Sequence, residues 1–166
     1  ILAARVEAAM KGAWDATTKS SITAKDIEWR TRYTALPIGS HLNEELLRAE
    51  LANTELSNGE RLGAATKLVW LQRTEAGLGV DVSALRVGKN WLLNMPGELF
   101  VEYQLAAQKM KPGEQVCMAA YEDYGPGYIG TELAYGQGGY ETSEGASNVA
   151  PEVEEVLMEA MAAVLE

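Results

Sequence analysis

The run Tyr121 to Tyr140, YEDYGPGYIGTELAYGQGGY, holds five of the chain's seven tyrosines and six of its sixteen glycines, and no ordinary helix or strand is built from such a mixture. Glycine opens backbone conformations closed to other residues and lets two stretches of chain approach closely, whereas a buried tyrosine hydroxyl must find a partner. The combination predicts an ordered, convoluted loop that gathers several phenols around one point. A Gly/Tyr-rich surface loop without chemistry is the plain alternative, since functional side chains concentrate on rigidly held loops but most loops carry none.

The rest of the chain reads as scaffold for that loop. Leu2, Val6, Ala9, Met10 and Ala13 fall on one face at helical spacing, so residues 2 to about 16 predict an amphipathic helix that needs a partner surface. From Ile27 to Leu36 the period drops to two, with Ile27, Trp29, Thr31 and Tyr33 alternating with Glu28, Arg30, Arg32 and Thr34, a strand with one solvated face stopped by Pro37. Two helices follow, one from the N-cap Asn43 with Leu46, Leu47 and Leu51 inward, one from Ser57-Asn58 with Leu62, Ala65, Val69 and Leu71 inward, ending at Gly77. Residues 80–87 and 91–95 form a hairpin around Gly88-Lys89-Asn90. Pro96-Gly97-Glu98 then starts a helix with Phe100, Tyr103, Ala107 and Met110 on its buried side, Glu98 lying in the first turn where the helix dipole favours an acid.

Gln115 to Ala120 reads as a buried strand that delivers the chain into the tyrosine loop, and Cys117 within it as a small core residue with no disulfide partner. Trp14, Trp29, Trp70 and Trp91, on separate elements, read as core. After a small-residue linker, Pro151 opens a last helix with Val153, Leu157, Ala160 and Val164 inward. The fold class is α/β, a mixed β-sheet with flanking helices, and residues 1–166 read as one domain piece. Open α/β sheets place ligands beyond the carboxyl ends of their strands, so Glu98 and the tyrosine loop converge if the strands that deliver them are parallel neighbours.

Composition removes some functions. A formal charge of -10 argues against nucleic acid or an anionic membrane surface as partner, because both call for a basic patch. No window reaches the roughly eighteen apolar residues of a membrane span. The chain opens at Ile1 in what reads as mid-helix, which suggests a fragment whose upstream half lies elsewhere. His41, the single histidine, sits in a Gly-Ser-His-Leu turn and reads as a hydrogen-bonding turn residue. Tyr121 and Tyr124 read as loop packing or rim, and Glu122-Asp123 as a solvated acidic turn. A carboxylate and phenols converging in a dry pocket can bind a metal, share a proton or donate to a developing oxyanion, and the residues alone do not separate these.

Two stretches carry a resemblance. One is Met95-Pro96-Gly97-Glu98; the other runs from Tyr128-Ile129-Gly130-Thr131 through Glu132 to Tyr135 and Gln137 to Tyr140-Glu141, its three tyrosines spaced seven and five apart. They resemble the C-terminal part of the catalytic domain of neutral ceramidases, in which a Gly-Glu precedes a Tyr-(Ile/Val)-Thr-Thr, a Glu-Glu-Tyr and a Gln-x-Tyr-Glu. The pieces Pro-Gly-Glu-Leu-Phe and Gly-Gly-Tyr-Glu also resemble bacterial ceramidase-like proteins.

The resemblance implies an amidase whose zinc ion is held by two histidines, a glutamate and a tyrosine. By position, Glu98 matches the zinc glutamate, Tyr128 the zinc tyrosine and Tyr140 an active-site tyrosine able to donate to the tetrahedral intermediate, with Tyr135 and Thr131 in support. The two histidines lie upstream in the family, and His41 does not stand for them, so the zinc site is completed by residues outside this chain: the upstream half of the same domain or a companion chain. Leu99-Phe100-Val101-Glu102 replaces the family's Phe-Thr-Thr and arginine pair, and Gly130 its first threonine. The implied substrate is a ceramide-like lipid or a small amide, and the implied location secreted or periplasmic. A non-catalytic carbohydrate- or lipid-binding domain on the same scaffold is the other reading.

Overall fold

Strand register fixes which side chains reach the core. In the computed structural model, which describes residues 2–17 and 21–166, β2 (Val80–Val87) and β3 (Asn90–Pro96) form the expected hairpin, with Gly88 in the left-handed region at φ 63°. β1 (Ile27–Thr34) pairs antiparallel with β2 along its whole length, from Ile27 opposite Val87 to Thr34 opposite Val80. β5 (Gln115–Glu122) joins the other edge, parallel to β3, giving a mixed sheet of order β1-β2-β3-β5.

A parallel pair needs a crossover, and α4 (Val101–Met110) supplies it between β3 and β5. α4 and the terminal α6 (Val153–Leu165) cover one face of the sheet. Their inward residues Tyr103, Ala107, Leu157 and Met161 meet Val82, Ala84, Leu93 and Met95 in one fully buried layer. α2 (Glu44–Ala52) and α3 (Asn58–Glu75) pack together through Leu47, Ala64, Leu68 and Leu71. Their starts are set by side-chain caps. Asn43 Oδ1 accepts from the Leu46 amide at 3.0 Å, and Ser57 and Glu60 form a reciprocal capping box, Ser57 N donating to Glu60 Oε2 at 2.8 Å. α3 reaches the main core through Trp70, whose Nε1 donates to the Asn148 carbonyl at 3.1 Å. No described helix is long and apolar enough to cross a membrane.

Several expectations fail at surfaces. Of the four tryptophans read as core, Trp70 and Trp91 are buried, whereas Trp14 and Trp29 are exposed. On β1 the even positions face the helices, because Thr34 and Val80 pair as inward residues and parity propagates along the register. Ile27, Trp29 and Tyr33 therefore face outward. The inward Glu28 bridges Arg30 and Arg86, with N–O distances of 2.7 and 3.2 Å, and the two guanidinium groups lie 5.5 and 5.9 Å from the buried Trp91 ring. Lys111 lies over the same ring at 4.6 Å, and Trp91 Nε1 donates to Glu114 at 2.6 Å. Cations over an aromatic ring thus occupy the core end that hydrophobic alternation assigns to Trp29.

Cys117 is exposed, since it shares the outward row with Leu92 across the β3–β5 pairing. Leu46, Leu62 and Val69, expected inward, are exposed on α2 and α3. α1 (Leu2–Ala16) forms as its spacing predicts but buries none of its residues. Glu98 does not open a helix. It lies in a two-residue strand, β4 (Glu98–Leu99), ahead of α4, because Gly97 at φ 65° turns the chain out of β3 and the Glu98 amide donates to the Gly127 carbonyl at 2.9 Å.

Candidate functional site

β3 and β5 end side by side, and the chain leaving each is stitched to the other. Gly97 N donates to the Glu122 carbonyl at 2.8 Å, and Tyr121 N to the Gly97 carbonyl at 2.7 Å. β4 then pairs in parallel with β6 (Tyr128–Ile129), with Glu98 the register partner of Tyr128 and Leu99 of Ile129. Parallel pairing places residues in register on the same side of the ribbon. Two glycines make it possible. A Cβ on Gly97 would lie 2.7 Å from the Gly127 carbonyl oxygen, and one on Gly127 would lie 2.3 Å from that of Ala146, both at positive φ.

Tyr128 is half-buried and Glu98 equally so. The Tyr128 phenol is held above its ordinary pKa, first by partial burial and then by the Glu98 carboxylate it faces. Tyr121 turns its hydroxyl to the same carboxylate, and that contact is the chief cause raising its pKa. The Tyr140 ring stands edge-on to Tyr128, centroids 6.0 Å apart at 72°, and Tyr121 stacks on Tyr124 at 6.4 Å and 10°. The result is a carboxylate facing two phenols, with Tyr140, 70% exposed, at the open side.

Tyr121, expected as loop packing or rim, is 60% exposed and stacks on Tyr124 as expected, and its hydroxyl also meets the Glu98 carboxylate. Tyr121 adopts φ 72° and Asp123 φ 45°, a left-handed kink in non-glycine residues that turns the loop back over β4.

Tyr135 and Thr131 brace the loop. Thr131 caps the short α5 (Glu132–Gln137), its Oγ1 accepting from the Ala134 amide at 3.2 Å, and the Tyr135 hydroxyl pairs with Ser147 Oγ at 2.7 Å. The fully buried Tyr103 donates to the Gly130 carbonyl at 2.9 Å, tying α4 to the loop at the residue between Tyr128 and Thr131. His41 lies elsewhere. It lines a small polar cavity of about 130 Å³ with Tyr135, Thr142 and Ser147, its Nε2 has no protein partner, and burial, with Lys67 nearby, lowers its pKa. Beside Tyr124 an apolar groove of about 450 Å³ runs along α3, lined by Leu62, Val69 and Trp70.

As a metal centre the cluster is partial. Glu98 and Tyr128, direct register partners, offer two oxygen donors, a chemistry that suits a zinc ion, but tight zinc sites have at least three protein ligands. Among the described residues no group of three or more His, Cys, Asp or Glu side chains is arranged to hold an ion. The residues present fit one side of such a shell.

The fold, a mixed sheet with a crossover helix, is similar to that of part of a solved ceramidase. A solved ceramidase, described as complexed with C2, is 16% identical and matches over 84% of this chain with a TM-score of 0.53. A neutral ceramidase from Pseudomonas aeruginosa is 14% identical over 87% of this chain, with a TM-score of 0.45. This chain spans 29% of the length of each. At such identity the likeness is one of fold. No family model matches the chain, and no curated protein does.

Proposed function

We propose that this chain supplies the glutamate and tyrosine side of a zinc-dependent amidase of neutral-ceramidase type, acting on the N-acyl linkage of a ceramide-like substrate. The observation that carries the reading is the register pairing of Glu98 with Tyr128 beside Tyr140, three residues singled out by motif and brought to one place by two glycines. Glu98 and Tyr128 would hold the ion, with histidines from the upstream half of the domain or a companion chain. A bound zinc ion supplies Lewis acidity toward an acyl carbonyl and a more acidic bound water.

The chain's own residues prepare for that chemistry. Tyr128 is a neutral phenol beside a carboxylate, an arrangement that opposes loss of its proton. A cation held beside it would offset the carboxylate and favour the phenolate as a ligand. Tyr140 presents an exposed hydroxyl that can donate to an oxygen developing negative charge. Thr131, Tyr135 and Tyr103 hold the loop so that these groups need not reorganise.

The second reading, a carbohydrate- or lipid-binding domain without catalysis, is favoured by the stacked Tyr121–Tyr124 pair and the apolar groove beside Tyr124. Elemental analysis and hydrolysis of N-acyl-sphingosine by this chain joined to its histidine-bearing segment separate the two. Stoichiometric zinc with turnover supports the amidase; a metal-free protein that binds ligand without turnover supports the binding domain.

A further inference from the structure

We propose that the polar cavity behind Tyr135 is a binding site for ordered water, anchored by His41 and Thr142, and that this water holds the tyrosine loop in place from behind. The inference does not depend on the amidase reading, and every residue it uses belongs to this chain.

Two parts of the chain that are distant in sequence wall the cavity. On one side is the turn ahead of α2 that carries Ser40 and His41; on the other is the segment after α5 that carries Thr142, Glu144 and Ser147, with Tyr135 of α5 beside it. Backbone contacts fix both walls. Gly39 N donates to the Asn148 carbonyl at 3.0 Å, Ile38 bridges Val149, and the Leu42 amide closes the turn on the Gly39 carbonyl at 3.0 Å. The His41 ring folds back over Gly39, where a Cβ would lie 2.6 Å from its Cε1 and 2.9 Å from its Nδ1. Only glycine at 39 admits the ring in that place.

Both walls carry an orphaned polar atom. His41 Nε2 and Thr142 Oγ1 are buried, and neither has a hydrogen-bond partner among the described residues. A buried polar group left unpaired is costly, and in native proteins such groups are met by protein or by ordered water. Water meets both orphans at once, because it donates and accepts. The size agrees: about 130 Å³ is several times the roughly 30 Å³ that one water occupies in the liquid.

Charge selects water over an ion. The lining is mainly hydroxyls, from Ser40, Tyr135, Thr142 and Ser147, with one carboxylate, that of the exposed Glu144. Lys67 offsets it, standing close enough for its Nζ to donate to the Glu144 carbonyl at 2.8 Å. Burial and Lys67, against the pull of Glu144, hold the His41 imidazole below its ordinary pKa. At neutral pH the ring therefore offers one N–H and one acceptor nitrogen.

The water matters because of what the second wall carries. Ser147 Oγ pairs with the Tyr135 hydroxyl at 2.7 Å, Ser147 bridges Gly127, and the neighbouring Ala146 carbonyl accepts from the Tyr128 amide at 3.0 Å. Thr142 packs on Gly130, whose added Cβ would meet Thr142 Cγ2 at 2.8 Å. The segment that leans on the cavity is the one that seats Tyr128.

The test is NMR on this chain, alone and joined to the proposed upstream segment, with water itself as the probe. Nuclear Overhauser transfer from water to the His41 ring protons and the Thr142 methyl is expected to carry the sign of long-lived bound water, opposite to that of surface hydration. Thr142→Val and His41→Phe each remove one anchor. Each is expected to weaken the signal at the other residue and to speed exchange of the Tyr128 amide by about tenfold. The double variant should exchange little faster than either single one, because the two anchors share one water cluster. Thr142→Ser, which keeps the hydroxyl, should keep the wild-type signal. Surface-type water contacts alone in the unsubstituted protein overturn the proposal, with no variant needed. So do substitution effects that add, an unmoved Tyr128 amide, or a signal that Thr142→Ser loses.

Discussion

Glu98 and Tyr128, thirty positions apart, are direct partners in a two-residue parallel bridge, and the Tyr128 phenol faces the Glu98 carboxylate. Replacing Glu98 with Gln removes the charge while keeping the shape. Tyr121 and Tyr128 are then expected to ionise at lower pH, since the carboxylate contributes to the raised pKa of both. Ultraviolet titration of the phenols reads this directly. An unchanged titration curve would mean that the carboxylate and the phenols do not meet in solution.

Alkaline stability follows from the same groups. Tyr103, Tyr121, Tyr128 and Tyr135 all hold their protons above the ordinary phenol range in the folded chain. A raised folded-state pKa gives stability that is fully present below the unfolded value, about 10, and is lost as pH rises through the folded values, because the unfolded chain releases its protons first. Denaturant unfolding is expected to show a steep loss of stability above pH about 10. Tyr103→Phe should flatten that loss, at a cost near neutral pH of about 1–3 kcal/mol for the unpaired Gly130 carbonyl.

Gly127→Ala is expected to damage the site through the backbone. The position has φ 67°, and the new methyl would meet the Ala146 carbonyl oxygen that accepts from the Tyr128 amide at 3.0 Å. Backbone strain alone costs about 1–3 kcal/mol, and the overlap adds to it. Gly136→Ala is the control, since nothing lies within 4 Å of its added methyl. Thermal melts of both variants check the contrast, with Gly136→Ala expected to be neutral or slightly stabilising.

Tyr140→Phe, made in this chain joined to the proposed upstream segment, is expected to lower kcat by about 10²-fold or more, with a smaller effect on KM, if the hydroxyl donates to an oxyanion. Its exposure predicts little effect on stability. Steady-state kinetics on an N-acyl-sphingosine check this, and an unchanged kcat would reduce Tyr140 to a packing partner of Tyr128.

Residues 1–166 alone are expected to hold zinc weakly and to leave N-acyl-sphingosine intact. One carboxylate and one phenol fall short of the three protein ligands of tight sites, and a phenol with raised pKa ligates poorly at neutral pH. Calorimetric zinc titration of this chain, with and without the proposed upstream segment, is the comparison. Equal affinity in both would relocate the ligand set to residues inside this chain.

Much of the scaffold was legible because local chemistry agrees with it. The Asn43 and Ser57 caps, the Gly88 hairpin and the period-two run of β1 each need no distant partner to be recognised. Which side of β1 faces inward was not legible, because the decision is made by Thr34 opposite Val80 and by cations packing on Trp91, contacts between residues far apart in sequence. Glu98 misled for a similar reason. Pro-Gly-acid suits a helix start as well as a strand exit, and the choice depends on Gly127, whose carbonyl receives the Glu98 amide. Tyr121 was legible as rim and loop packing, but its contact with Glu98 was not, because that contact rests on a left-handed backbone that nothing about tyrosine announces.

The bridge between β4 and β6 closes a long stretch of chain. Everything from Leu99 to Gly127, including α4 and β5, must already be seated before Glu98 N can reach the Gly127 carbonyl and Phe100 N the Ile129 carbonyl. Closure entropy of such a loop is met once and collectively, so these amides belong to a cooperative unit with the parallel pairing of β3 and β5. In hydrogen exchange the amides of Glu98 and Phe100 should therefore open together with those of β5 and not with the neighbouring hairpin, which makes their protection a direct gauge of whether the carboxylate and the phenols are assembled.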